Sequence, residues 1–199
     1  MVDLILASSS LIRREMLENA GLRVDCRPAR LDEAAIRESL LAEGAEPRDV
    51  ADTLAEFKAR RVAEKANPGE LVLGCDQVLA LKGEIFGKAK DQAEAAEHLK
   101  QLQGKTHHLM SAAVLYEDNK PVWRHVGVVR MTMHALSDKQ INDYLDAAWP
   151  DVSYCVGAYQ VERLGARLFS RIEGDWFSVL GLPLLDVLSH LRLRGMLGA

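Results

Sequence analysis

Leu4-Ile5-Leu6-Ala7-Ser8-Ser9-Ser10-Leu11-Ile12-Arg13-Arg14 is the stretch on which the fold turns. A short apolar run ending in three serines reads as a buried strand, a turn and a serine-capped helix. Leu11, Met16, Leu17 and Ala20 recur at helical spacing, and Gly21 closes that helix. A second short strand is expected over residues 22–26. Beyond Pro28 the polar stretch Arg30-Leu31-Asp32-Glu33 leads into a helix over 34–43, which Gly44 and Pro47 end.

Further along, residues 48–65 read as a long amphipathic helix with Val50, Leu54, Phe57, Ala59 and Val62 facing inward. Leu71 to Ala80 is an apolar strand interrupted by Asp76 and Gln77, and Lys82-Gly83-Glu84 is a tight hairpin. A helix follows over 92–101. Strands over 108–114 and 122–134 flank the turn Asp118-Asn119-Lys120-Pro121, with His108, Met110, Ala112 and Val114, then Val126, Val128, Met131 and Met133, on the apolar faces. Ser137 caps a helix running to Ala148. The tail holds a strand near 167–172, the turn Gly181-Leu182-Pro183 and a helix over 184–194. Alternating strands and helices with one long inserted hairpin describe an α/β protein with a mixed sheet. No linker, repeat or charge block divides it, so one domain over 1–199, built as two lobes, is expected.

Hydrophobic residues make up 48% and charged residues 27% of the 199, which excludes a disordered chain. The formal net charge is −4, which argues against a general nucleic-acid binder. The three cysteines, Cys26, Cys75 and Cys155, form no CxxC and read as reduced thiols. Residues 1–10 do not read as a signal peptide and there is no apolar run of about 20 residues, so no membrane partner is expected and a cytoplasmic protein is the default expectation. The six histidines show no HExxH pattern, and adjacent His107 and His108 on a strand point to opposite faces. GxSxG and GxxxxGK[ST] are both absent.

Four features carry possible chemistry. Ser8, Arg13 and Arg14 join helix N-terminal amides, hydroxyls and guanidinium forks, which suits a phosphate; they also suit a plain cap with two solvated arginines. Asp76 inside an apolar strand needs a partner, a cleft or a metal. It reads either as a structural carboxylate or as a general base or metal ligand. Lys58 and Lys88, each taken alone, read as solvated surface lysines. Asp32-Glu33 reads as acid at a helix start, or as a metal carboxylate.

In order, Ser8-Ser9-Ser10, Arg13-Arg14, Leu31-Asp32-Glu33, Lys58-Ala59, Gly74-Cys75-Asp76-Gln77-Val78, Gly87-Lys88, Gly104-Lys105, Gly157-Ala158-Tyr159 and Val179 to Leu184 resemble the Maf family across about residues 3–192. The resemblance implies nucleoside triphosphate pyrophosphatases, related in fold to the inosine triphosphatases: a mixed twisted sheet with flanking helices in two lobes around a cleft. It implies hydrolysis between the α and β phosphates, a divalent cation (Mg²⁺ or Mn²⁺) and a homodimer. Asp76 then carries catalysis. Ser8, Arg13, Arg14, Lys58 and Lys88 surround the triphosphate, and Glu33 with Asp76 holds the metal.

Specificity positions follow from the same resemblance. Gln77 and Glu162 stand where members acting on thymidine and uridine triphosphates usually carry Thr and Gln, and the pair resembles the branch acting on 7-methyl-GTP. A carboxylate at Glu162 suits the positive charge and donor edge of N7-methylguanine. Ile12 stands where that branch often has a stacking Trp. Arg163 replaces a Gly and is expected to face solvent. The alternatives are a dTTP/UTP pyrophosphatase, and a nucleotide-binding regulator of cell division with little turnover.

Overall fold

In a computed structural model the chain is described over residues 3–197, so Met1, Val2, Gly198 and Ala199 of the expected 1–199 domain lie outside the described residues. The elements in order are β1 (Leu4–Leu6), α1 (Leu11–Asn19), β2 (Val24–Cys26), α2 (Glu33–Ala42), α3 (Pro47–Ala63), β3 (Val72–Leu81) and β4 (Glu84–Phe86). They continue with α4 (Gln92–Leu102), β5 (Thr106–Glu117), β6 (Lys120–Met133), α5 (Asp138–Ala148), β7 (Phe169–Glu173), α6 (Trp176–Val179) and α7 (Leu184–Leu193). Seven strands form one sheet in the order β2-β1-β3-β5-β6-β7, with β4 on β3. β1 pairs parallel with β2 and β3, whereas β3–β4 and β6–β7 are antiparallel, so the sheet is mixed as expected. No helix among the described residues is long and apolar enough to cross a membrane.

The chain divides into two compact units, each assembled from separated segments. The first comprises residues 1–77, 110–127 and 175–199. In it, Leu71, Leu73 and Cys75 pack with Leu4, Leu6, Leu17, Val187 and Leu191. The opposite face of β3 carries Gly74 and Asp76, because side chains alternate along a strand. A Cβ on Gly74 would overlap the Ala55 carbonyl oxygen and stand 2.5 Å from the Ala59 nitrogen. Helix α3 therefore lies directly on the β3 backbone. The stripe that meets the strand repeats every three or four residues: Val50, Ala51, Leu54, Ala55, Lys58, Ala59 and Val62 are buried. Phe57, expected inward, is only half-buried, and Lys58 takes the core position.

The second unit comprises residues 78–109 and 128–174. His107, Tyr159 and Phe169 form an aromatic group, with ring centroids 5.7 Å apart for His107–Tyr159 and 4.8 Å for Tyr159–Phe169. His107 Nε2 lies 2.8 Å from the Tyr159 hydroxyl, and its Nδ1 is buried with no partner among the described residues. Gly157 (φ +76°) approaches so closely that a Cβ would stand 2.7 Å from the Tyr159 ring.

Two strand faces differ from expectation. On β5 the fully buried side chains at the start are His107, Leu109 and Ser111, and burial is continuous from Ser111 to Tyr116. A strand covered on both faces loses the alternation that marks a half-buried one. On β6 Val126 is buried, but Val128 is 46% exposed and Val129 is buried, so the inward phase slips by one residue after Gly127. The short helix α6 was not expected from the sequence: Asp175 caps it by accepting from the Ser178 amide at 2.6 Å.

Two outcomes follow. Gly74→Ala must push α3 off β3, and we expect urea unfolding to show a loss of at least ~2 kcal/mol. Burial pushes the His107 imidazole down to about 4, from 6.5. Between those pH values the unfolded chain takes up a proton that the folded one refuses. Stability is therefore fully present above about pH 6.5 and falls, by up to roughly 3 kcal/mol, as pH drops to about 4. His107→Gln should flatten that part of the stability–pH curve.

Candidate active site

Lys58 is brought to Asp76 by the α3–β3 contact. Ala55 and Ala59 bracket Gly74, Lys58 stands one residue before Ala59, and Asp76 lies two residues past Gly74 on the same strand face. Lys58 Nζ donates to Asp76 Oδ1 at 2.7 Å and forms an ion pair with Glu33 Oε2 at 2.9 Å. Lys58 is 8% and Asp76 5% exposed. The lysine that alone reads as solvated is thus a buried cation between two carboxylates. Asp76 Oδ2 is buried with no partner among the described residues. The two acidic neighbours at the start of α2 divide their roles: Asp32 caps the helix through the Ala35 amide at 3.0 Å, while Glu33 reaches Lys58.

No cluster of three or more His, Cys, Asp or Glu side chains able to hold a metal occurs among the described residues. A divalent cation on Asp76 and Glu33 would have two protein carboxylates, with water or phosphate oxygens completing its shell. That is the usual way Mg²⁺ is held, and the Asp76 Oδ2 that has no partner among the described residues fits it.

Ser10 caps α1, accepting from the Arg13 amide, and Ser8 Oγ accepts from the Ser10 amide at 3.1 Å. The Arg13 side chain turns back over this loop. Its Nε donates to the Gly181 carbonyl at 2.8 Å, and its Nη1 to the Cys75 carbonyl at 3.1 Å and to Ser8 Oγ at 3.5 Å. Gly181 (φ +97°) leaves room for it, since a Cβ there would stand 3.1 Å from the guanidinium. Arg13 Nη2 makes no hydrogen bond among the described residues. Arg14 points elsewhere, pairing with Glu18 at 2.8 Å on the exposed side of α1. Ile12 is half-buried on the first turn of the same helix.

Gln77 closes the other side of the same turn. Its Nε2 donates to Ser111 Oγ at 3.0 Å and to the carbonyls of Ser178 and Val179, each at 3.1 Å. Sequence reading missed Ser111, a small residue in a strand. The signal lay in its polarity within a segment buried on both faces. For Lys58 the signal was its place in the buried stripe of α3.

In the second unit, Lys88 is exposed and its backbone bridges to Val156. Glu162 is exposed and Cys155 partly buried; both Lys88 and Glu162 lie close enough to act electrostatically on the Cys155 thiol, which burial pushes up. Arg163 is exposed and meets Asp151 at 3.4 Å, as expected of a solvated residue. All three cysteines are free.

A mixed α/β chain whose central strand carries a buried aspartate paired to a buried helix lysine, with a second carboxylate on that lysine, defines the class. The chain matches the Maf family model, "Maf-like protein", over residues 3–194, and it belongs to that family. A protein named nucleoside triphosphate pyrophosphatase 1 from Jannaschia sp. (strain CCS1) is 65% identical, covering 98% of each chain. One named nucleoside triphosphate pyrophosphatase from Roseobacter denitrificans is 55% identical over 96% of each chain. A 7-methyl-GTP pyrophosphatase from Mesorhizobium japonicum is 50% identical, again over 96% of each.

Removing one partner of a buried pair strands the other charge. Lys58→Met should therefore cost about 3 kcal/mol or more in urea unfolding, and adding Asp76→Asn should restore a large part of it. Simple additivity of the two substitutions would show that they do not interact.

Proposed function

We propose that this chain is a nucleoside triphosphate pyrophosphatase, a hydrolase that adds water across the α–β phosphoanhydride to give a nucleoside monophosphate and pyrophosphate. Asp76 carries the reading. One of its oxygens is fixed by Lys58, and the other is buried and without a partner among the described residues, the state expected of a carboxylate that takes a proton from a water. The names of relatives at 65% and 55% identity support the same activity. Phosphoryl chemistry needs little covalent help, so positioning and charge carry the catalysis.

Each side chain has a part in this reading. Asp76 accepts the proton of the attacking water, and Lys58 holds its carboxylate in place. Ser8 and Arg13 receive phosphate oxygens, Arg13 through the Nη2 that the fold leaves open. Arg14 joins them only by leaving Glu18, and the family resemblance adds Lys88 as a further phosphate cation. Asp76 and Glu33 would hold Mg²⁺ or Mn²⁺, which when bound neutralises phosphate charge. The same proposal puts the chain in the cytoplasm and, on the family resemblance alone, in a homodimer.

The base is 7-methylguanine in the same proposal. Gln77, Glu162 and Ile12 are its specificity positions, and Glu162 offers an exposed carboxylate to the positive ring. Relatives at about 50% identity named 7-methyl-GTP pyrophosphatases support this. The test is pyrophosphate release from a panel of canonical and modified triphosphates with Mg²⁺ and Mn²⁺. We expect 7-methyl-GTP to outrank TTP and UTP, and Asp76→Asn to lower turnover by about 10²–10⁴-fold with nucleotide binding retained. Glu162→Gln should reduce the preference for the methylated base. A wild-type preference for TTP would overturn the base assignment. Release that is negligible in both wild type and Asp76→Asn, with binding intact, would favour the regulator.

A further inference from the structure

We propose that Gln77 is locked as a hydrogen-bond acceptor toward the bound nucleotide, with Ser111 as its positioning residue. The site then selects nucleobases that carry N–H at the centre of the pairing edge. This rests on the nucleotide reading above and deepens it.

The lock is visible in the hydrogen bonds. Gln77 Nε2 faces three acceptors, Ser111 Oγ and the carbonyls of Ser178 and Val179. Ser111 Oγ donates its only proton to the Ser178 carbonyl at 2.7 Å, so it meets Gln77 with a lone pair. Flipping the amide would set its carbonyl oxygen against two backbone carbonyls and take a donor from each, so one orientation is enforced. Ser111 is fully buried, which keeps water from substituting for it.

Gln77 Oε1 is left over. It makes no hydrogen bond among the described residues, and it is not among their buried unpartnered atoms, so it is open to solvent. The Gln77 side chain leaves β3 on the face opposite Asp76 and meets the Ser178–Gly181 turn, which also holds Arg13, the proposed phosphate ligand. A triphosphate offers only acceptors and charge there, and an acceptor repels it. What remains of a nucleotide is the sugar or the base. A sugar hydroxyl rotates to suit either polarity, so a fixed amide does not discriminate it. A base edge cannot rotate its polarity. Guanine N1 and the N3 of uracil and thymine carry hydrogen, whereas adenine N1 and cytosine N3 are acceptors. An acceptor-only Gln77 matches the first group and leaves two lone pairs facing each other in the second.

The test reads affinity, so that it does not depend on turnover. Calorimetry with the α,β-methylene analogues of GTP, 1-methyl-GTP, UTP, 3-methyl-UTP, ATP and CTP is run on the wild type, Gln77→Met and Ser111→Ala. In the wild type we expect GTP and UTP analogues to bind at least about tenfold tighter than their N-methylated partners and than ATP and CTP. Gln77→Met should bring those ratios to within about threefold, and Ser111→Ala should lower them partway. Smaller wild-type ratios, or full ratios kept in Gln77→Met, overturn the proposal. Should Gln77→Met fail to fold, Ser111→Ala decides by the same ratios. Pyrophosphate release is assayed separately: binding with this selectivity but no release defeats the enzymatic reading and leaves the acceptor lock standing. No binding of any analogue defeats both.

Discussion

Gly74 has no side chain, and the backbone of α3 occupies the space where one would be. Almost everything in the first unit's polar centre depends on that approach. With the helix lifted by even a methyl group, Lys58 would no longer reach Asp76 at 2.7 Å, and two opposite charges less than a tenth exposed would be stranded in an apolar layer. Burying such a pair is tolerable only because the geometry is tight and a second carboxylate, Glu33, satisfies the lysine further. The small residues Ala55 and Ala59 are thus as much a part of the centre as the charges are.

A second dependence runs through the turn from Ser178 to Gly181. Gln77 donates to the carbonyls of Ser178 and Val179, and Arg13 to that of Gly181. Two side chains with chemical promise are therefore also struts of the fold. Arg13 joins the loop after β1, the backbone of β3 at Cys75 and the segment before α7. Such residues present to a ligand only the atoms that the fold leaves over, Nη2 of Arg13 and Oε1 of Gln77. For a chain of net charge −4, this concentrates cationic capacity in a few places rather than over a face.

The order of strands and helices was legible because the punctuation is strong: three serines before α1, Gly21 after it, Ser137 before α5, Pro183 before α7. The strand faces were harder. Ser111 and His107 are polar residues in fully buried positions, and a β5 covered on both sides shows no period of two. Asp76 stood out because an acid in an apolar run needs a reason. Lys58 did not, because lysine is ordinarily solvated and only its place in the buried stripe of α3 betrays it. That Arg13 folds back while its neighbour Arg14 turns to Glu18 is a matter of helix phase, which the dipeptide itself does not express.

Cys75 lies between these groups, its carbonyl held by Arg13 and its thiol sealed in the core, where burial pushes it up to about 11. At neutral pH it is therefore a thiol without thiolate, closed to alkylating reagents and to oxidants while β3 stays in the sheet. Its labelling rate then measures a different quantity from activity: how often the strand carrying Asp76 opens. A native cysteine one residue from the centre is a built-in clock for local unfolding, and it can be read without altering any residue of the site.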